Sequence, residues 1–340
     1  MSQLQEAKGI VRKYFDQLEA ATPASVESVL KESMATEYEF YGSYPFLQRR
    51  SAEEVAKCLW IPFLNAFTGI QRRQDIFIAG ANEFDPQEIW VMSMGHLMGL
   101  FDRDWLGIRH TRKMTSLRYA EFSCVKDGKI TKTGFFCDIL GVMHQAGCYP
   151  LPPMTGQYFI YPGPRNHNGL LFEDADPAES EKTLALVNQM IGDITTPAAN
   201  ATSELQDGDL LRRSWAEGMI WYGPCGIGAT HTIQRYGEQH QGPFRAGLTD
   251  RVFNGHRVRF AEGSFACFFG WPNLTNRNAG GFLGLPEGAS GADMQVVDVY
   301  SREGDRLSEN WVIIDLPRWL KQQGLDVLAR TASILNPPEE

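Results

Sequence analysis

The sequence predicts an α+β protein built from one structural unit used twice in tandem. Three observations carry this expectation. Each half opens with helical sequence and continues as strand-like runs broken by turns. An offset of 177 residues pairs Leu106-Gly107 with Leu283-Gly284, Asp138 with Asp315, and Gln145 and Gly147 with Gln322 and Gly324. Between the halves, "YPGPRNHNGLLFEDADPAES" is rich in Pro, Gly and Asn, as linkers are. The expected organisation is a first unit over 1–160, a linker over 161–178 and a second unit over 179–340.

The elements follow in order. "LQEAKGIVRKYFDQLEA" and "PASVESVLKES" have helical periodicity, with Thr22 expected as cap and Pro23 in the first turn. "DPAESEKTLALVNQMIGD" opens the second half in the same way. Each half then has an aromatic-glycine turn, "FYGSYP" and "WYGPCG", and a segment with a Pro-Phe pair, "WIPFLNAF" and "QGPFRAGL". Asp127-Gly128 stands between two strand-like runs and predicts a tight hairpin. With a two-residue turn Val125 faces Ile130, Glu121 faces Gly134, Tyr119 faces Phe136 and Leu117 faces Asp138. Alternation then gathers Leu117, Tyr119, Glu121, Phe136 and Asp138 on one face. The same offset gathers Met294, Val296, Asp298, Trp311, Ile313 and Asp315 in the second copy.

Each copy thus carries two carboxylates on an aromatic and aliphatic face. A carboxyl walled by Trp, Ile, Tyr and Phe is disfavoured in its charged form, so its pKa rises toward the range useful for proton transfer. The alternative is a rim position with a structural hydrogen bond. Trp60, Tyr41, Tyr222 and Trp271 are core residues or walls of a pocket.

Composition narrows the function classes. The chain is 43% hydrophobic and 21% charged, enough for sizeable cores, and its net charge of −9 argues against a nucleic-acid partner. No apolar run approaches a membrane span, and the six scattered cysteines read as reduced thiols of a cytoplasmic protein. Cys137, His144 and Cys148 fit no standard zinc spacing, and phosphate loops, dinucleotide fingerprints and Gly-x-Ser-x-Gly elbows are absent. The expectation is a protein without metal or cofactor. "GIRHTRK" around His110 reads as a solvated charge run.

The run "GFLGLPEGASGADMQVVDVYSREGDRLSENWVIIDLPRWLKQQG" resembles the SnoaL-like polyketide cyclases through Gly281, Phe282, Gly284, Leu285, Pro286, Gly291, Trp311, Asp315, Gln322 and Gly324. "SYPFLQRRSAEEVAKCLWIPFLNAF" and "MGHLMGLF" are similar to other parts of the same pattern in the first half. The resemblance implies the fold of nuclear transport factor 2, a curved, mostly antiparallel sheet wrapped by helices into a cone with an apolar interior. It implies Asp315 as catalytic acid/base, Asp138 by position although Gly134 replaces the tryptophan, and His96 as a further catalytic group where the second copy has Asn273. Trp311, Asp298, Glu121, Tyr119, Phe136, Tyr222 and Trp60 would then line substrate. The implied activity is cofactor-free acid/base chemistry on an apolar carbonyl or polyketide-like compound, such as intramolecular aldol closure, with isomerisation, dehydration and hydrolysis as related reactions. A non-catalytic small-molecule binder of the same fold is the alternative, and a homodimer is a further expectation.

Overall fold

The computed structural model of the chain describes residues 2–154, 156–195 and 204–335. The first unit runs α1 (Gln3–Glu19), α2 (Val26–Ser33), β1 (Met34–Gly42), β2 (Leu47–Arg49), α3 (Ala52–Val55), a π-turn (Ala56–Trp60), α4 (Ile61–Ala66), β3 (Phe67–Asn82), β4 (Asp85–Phe101), β5 (Met114–Lys126), β6 (Lys129–Cys137) and α5 (Ile139–Gln145). The second runs α6 (Pro177–Thr195), α7 (Glu204–Arg212), β7 (Trp215–Tyr222), β8 (Ala229–His231), α8 (Thr232–Tyr236), a π-turn (Gly237–Gln241) and α9 (Gly242–Gly247). It continues with β9 (Leu248–Phe253), β10 (Val258–Glu262), β11 (Phe265–Phe269), β12 (Leu274–Asn278), β13 (Ala292–Met294), β14 (Val296–Glu303), β15 (Arg306–Ile314), α10 (Leu316–Gln322) and α11 (Val327–Leu335). The fold is α+β. No helix among the described residues is long and apolar enough to cross a membrane.

Local chemistry explains the boundaries. Ser2 caps α1 by accepting from the Gln5 amide (3.0 Å), and Ala7, Val11, Tyr14, Phe15 and Leu18 form its buried stripe. The helix α2 starts at Val26, later than Thr22-Pro23 suggested, because Thr22 to Ser25 form a turn of their own. Asp127 and Gly128 both take positive φ (51° and 74°), the backbone a tight two-residue hairpin needs.

The first sheet has the order β2-β1-β6-β5-β4-β3, with β1 and β6 parallel and every other pair antiparallel. The second repeats that order in its equivalents: β8-β7-β15-β14-β11-β10, again with one parallel pair, β7 and β15. A small sheet, β13-β12-β9, completes the second unit.

Both long hairpins are bulged, and this corrects the expected register. Val125 does face Ile130, but Cys124 already faces Lys132, so Tyr119 pairs with Cys137, Ala120 with Phe136 and Phe122 with Gly134. Likewise Ser301 faces Glu309 and Arg302 faces Leu307, which leaves Ser308 as the extra residue. A one-residue slip flips every later side chain to the opposite face. Phe136 therefore leaves the face of Tyr119 and Glu121, and Trp311 and Ile313 leave the face of Asp298.

Those flipped side chains fill the space between the two sheets. Ile78, Trp90, Phe122 and Phe136 of the first sheet meet Phe260, Phe269, Val299, Trp311 and Ile313 of the second in one buried cluster. Phe269 sits at its centre, 4.9 Å from the Phe122 ring, 5.3 Å from Phe136 and 5.8 Å from Trp90. Gly134, the equivalent of Trp311, makes room for it: a Cβ there would lie 3.1 Å from the Phe269 ring. The helices cover the other face of each sheet.

Candidate functional site

The two units share one plan but differ in their interiors. In the first, β3, β4 and β5 run unbroken for 16, 17 and 13 residues. Their equivalents in the second unit are interrupted, β9 from β10 at 254–257, β11 from β12 at 270–273, and β13 from β14 at Gln295. Pro272 has no N–H for the ladder, and Asn273 bridges the gap instead. The Asn273 amide donates to Met294 O (2.9 Å), and its Oδ1 accepts from the Val296 amide (2.7 Å). The break folds β9, β12 and β13 away as a separate wall.

Between this wall, the concave face of the six-stranded sheet and the helices α6, α8 and α9 lies a cavity of about 380 Å³. Trp215, Trp221, Phe244, Phe268, Val312 and Ile314 make it largely apolar. Its buried acid is Asp298, on β14. Asp298 Oδ1 accepts from Tyr300 Oη (3.0 Å) and Asn310 Nδ2 (3.1 Å), two residues that face each other across β14 and β15. Among the described residues no hydrogen bond reaches Oδ2. Burial pushes the carboxyl up to about 6, although both donors favour its charged form.

Two imidazoles also line this cavity. His240 stacks on Trp221 at 3.8 Å, and its buried Nδ1 has no partner among the described residues. His256 stacks on Phe268, also at 3.8 Å. Burial lowers both to about 3, helped at His256 by Arg259, so both are neutral at neutral pH.

The equivalent of Asp298 at the 177-residue offset is Glu121, and its surroundings are opposite in kind. Arg72 reaches Glu121 Oε2 at 2.9 Å, with its guanidinium 3.9 Å over the Phe15 ring and 4.7 Å over Tyr119. Burial opposes the charge on Arg72, and Glu121, Tyr119 and Tyr14 more than offset it. Trp60 packs edge-on to Phe135 beside this pair, and Tyr119 Oη bonds Ser93 Oγ (2.8 Å). Glu121, Tyr119 and Trp60 thus lie together, in an interior occupied by an arginine.

The remaining expected site residues lie elsewhere. Asp138 and Asp315 are buried, yet neither lines the cavity. Each follows the last strand of its sheet and caps the next helix: Asp138 Oδ1 accepts from Gly141 N (3.0 Å), Asp315 Oδ1 from Arg318 N (3.2 Å). Their other oxygens reach into the opposite unit. Asp138 Oδ2 accepts from Cys225 N in "WYGPCG", and Asp315 Oδ2 from Tyr44 N in "FYGSYP", both at 2.8 Å. Burial raises both, Asp315 to about 7, against those amides.

Trp311 stacks on Tyr222 (5.5 Å) between the sheets and donates from Nε1 to Pro162 O (3.0 Å). Phe136 lies against Phe269 and Trp271. These three belong to the inter-sheet core, Trp311 and Phe136 because the bulges turned them there. His96 is also on that face, its Nδ1 3.4 Å from Asp75 Oδ2. It shares no pocket with Asp298 or Asp315.

His240, His256, Tyr300, Asn310 and Arg251 are site residues that sequence reasoning missed. Tyr300 shares parity with Asp298 by simple alternation along β14, and Asn310 joins them once the Ser308 bulge is placed. The signal for His240 is its position: "YGEQHQGPF" aligned on the Pro-Phe pair of "AKCLWIPF" sets a histidine where Leu59 is buried core.

Among the described residues no group of three His, Cys, Asp or Glu is placed to hold a metal ion, and all six cysteines are free. No protein-family model and no curated protein matches the chain. Solved structures do. A candidate SnoaL-like polyketide cyclase from Jannaschia sp. CCS1 matches at 17% identity and a TM-score of 0.33, over 45% of this chain and 98% of its own. A second such protein, from Shewanella denitrificans OS-217, matches at 17% and 0.34 over 44% and 98%. A nuclear transport factor 2-like protein from Burkholderia xenovorans LB400 matches at 12% and 0.33, over 42% and 97%. These are likenesses of shape alone. Each covers a little under half of the chain, which is to that extent similar to SnoaL-like and nuclear transport factor 2-like proteins.

Proposed function

We propose that the cavity of the second unit is a cofactor-free acid/base site for a small, largely apolar carbonyl compound, with Asp298 as the group that moves the proton. The observation that carries this reading is the contrast between two equivalent carboxylates. Glu121 is paired with a buried Arg72, whereas Asp298 lines a largely apolar cavity with one oxygen unengaged. A carboxyl near 6 is a competent base at neutral pH and still strong enough an acid to return the proton.

The chemistry follows from the positions. Tyr300 and Asn310 hold Oδ1, which leaves Oδ2 to take a proton from the carbon next to the ligand's carbonyl. The electron pair left by that C–H bond moves into the carbonyl as an enolate. In the tautomer with its proton on Nδ1, neutral His240 donates to the enolate oxygen. Reprotonation at carbon by Asp298 completes an isomerisation or an exchange. In a ligand with a second carbonyl in reach, the enolate carbon attacks it and closes a ring, and the alkoxide so formed takes back the proton from Asp298, an intramolecular aldol step. The aromatic walls exclude water and restrict the ligand's conformations. Asp138 and Asp315 act in this reading as structural groups.

The test is deuterium uptake at the α carbons of 2-tetralone, followed by NMR in D₂O with and without the protein. Wild type should accelerate exchange, and Asp298→Asn should lower the enzymatic rate about a hundredfold or more. Saturable binding of 2-tetralone with no acceleration would replace the enzyme reading with that of a binding protein.

A further inference from the structure

Arg251 projects from β9, the edge strand of the small wall, and lines the cavity. It is partly buried, and among the described residues it makes no hydrogen bond or ion pair. Its neighbours on that side of the molecule are engaged. Arg277 pairs with Asp250 and Glu287, Arg259 with Glu83, and Arg257 with Glu39. Asp250, next in the chain, is paired with Arg277 at 3.1 Å. Arg245, on α9, lines the same cavity, and burial together with this like charge disfavours the cationic form of Arg251. A half-desolvated guanidinium without an acidic partner, facing an apolar cavity beside a second cation, is a place where an anion is missing.

We infer that the natural ligand carries a carboxylate, and that Arg251 binds it while the carbonyl end reaches Asp298; this rests on the cavity being the ligand site proposed above. The two charges stand on different sheets. Asp298 belongs to the six-stranded sheet and Arg251 to the wall folded away from it, so the cavity's acid and this cation stand on different walls of a largely apolar cavity. That pattern suits an apolar keto acid in one orientation and sets a neutral ketone no preferred direction. The planar guanidinium offers parallel N–H donors that match both oxygens of a carboxylate. It also keeps the ligand's own negative charge away from Asp298, whose ionised form would repel it.

The test is isothermal titration of the full chain with 2-naphthoate and with methyl 2-naphthoate, which share a ring system and differ in charge. Wild type should bind the acid at least about tenfold more tightly than the ester. Arg251→Gln should bring that ratio to about one, and Arg251→Lys should restore part of it. Ester binding equal to acid binding in wild type, a ratio that survives Arg251→Gln, or no binding of naphthoate at millimolar concentration would each overturn the inference. The two proposals fail separately. Exchange of 2-tetralone without an acid preference sinks only the carboxylate, and an acid preference without exchange sinks only the base.

Discussion

At the scale of single residues, the 177-residue repeat places a carboxyl at the same point in both units, and environment assigns each a different role. Glu121 has a cation at 2.9 Å in a sealed interior. Removing that cation by Arg72→Met leaves a buried charge without a partner, so stability should fall by about 3–5 kcal/mol in urea unfolding. Asp298 is the reverse case. Its folded pKa of about 6 exceeds the ordinary 3.8, so between those values the folded chain holds a proton that the unfolded chain has released. Its contribution is therefore intact below about pH 4 and is lost as pH rises through 6. The shift corresponds to roughly 3 kcal/mol between protonation states. The Asp298→Asn variant should thus gain stability relative to wild type between pH 4 and 7, measured as a growing difference in Tm. The same ionisation should govern activity, with the exchange rate rising through about pH 6 to a plateau.

At the scale of elements, a bulge in each hairpin decides which side chains can form a site. The Asp127-Gly128 turn was legible because only a few residues tolerate its backbone, and Val125 opposite Ile130 followed from it. The extra residue at Thr131 or Ser308 was not legible, since neither differs in kind from its neighbours. The slip moved Phe136 and Trp311 from the expected pocket to the inter-sheet core, while Asp298, Glu121 and Tyr119 kept the predicted face. Helix order and the Pro-Phe segments could be read from periodicity. The strand breaks that open the cavity had Pro272 as a sign, but their consequence needs three strands to bend together. Asp138 and Asp315 were legible as a repeated pair beside apolar neighbours, but not as helix caps: the structural alternative was a rim position, and both are buried. Each accepts one amide of its own helix and one from the opposite unit. Asp315→Ala should cost about 2–4 kcal/mol in chemical denaturation, a lost cap plus a buried amide left unpaired.

At the scale of the whole molecule, the two units are joined through their sheets, and the carboxylate clasps are reciprocal: each unit's last strand ends on the other's aromatic-glycine turn. Further bonds cross the same boundary. Arg118 donates to Tyr222 O and Gly223 O, and Lys8 on α1 pairs with buried Glu262 on β10 at 2.5 Å. Units tied this way should unfold in one cooperative transition rather than two. Gly134→Leu would drive a side chain into Phe269 at the centre of the boundary and should lower stability by about 1–3 kcal/mol without touching the cavity. In the reading proposed above, the second unit holds the reacting carboxyl and the Asp138 and Asp315 clasps only join the units. The measurement that bears most directly on that division of labour compares Asp298→Asn and Asp315→Asn side by side at pH 7, reading α-proton exchange of 2-tetralone in folded protein. If Asp298 is the base and Asp315 a structural clasp, the first variant loses exchange by about a hundredfold or more and the second stays within a few fold of wild type. The reverse pattern, exchange abolished by Asp315→Asn and kept by Asp298→Asn, would contradict it.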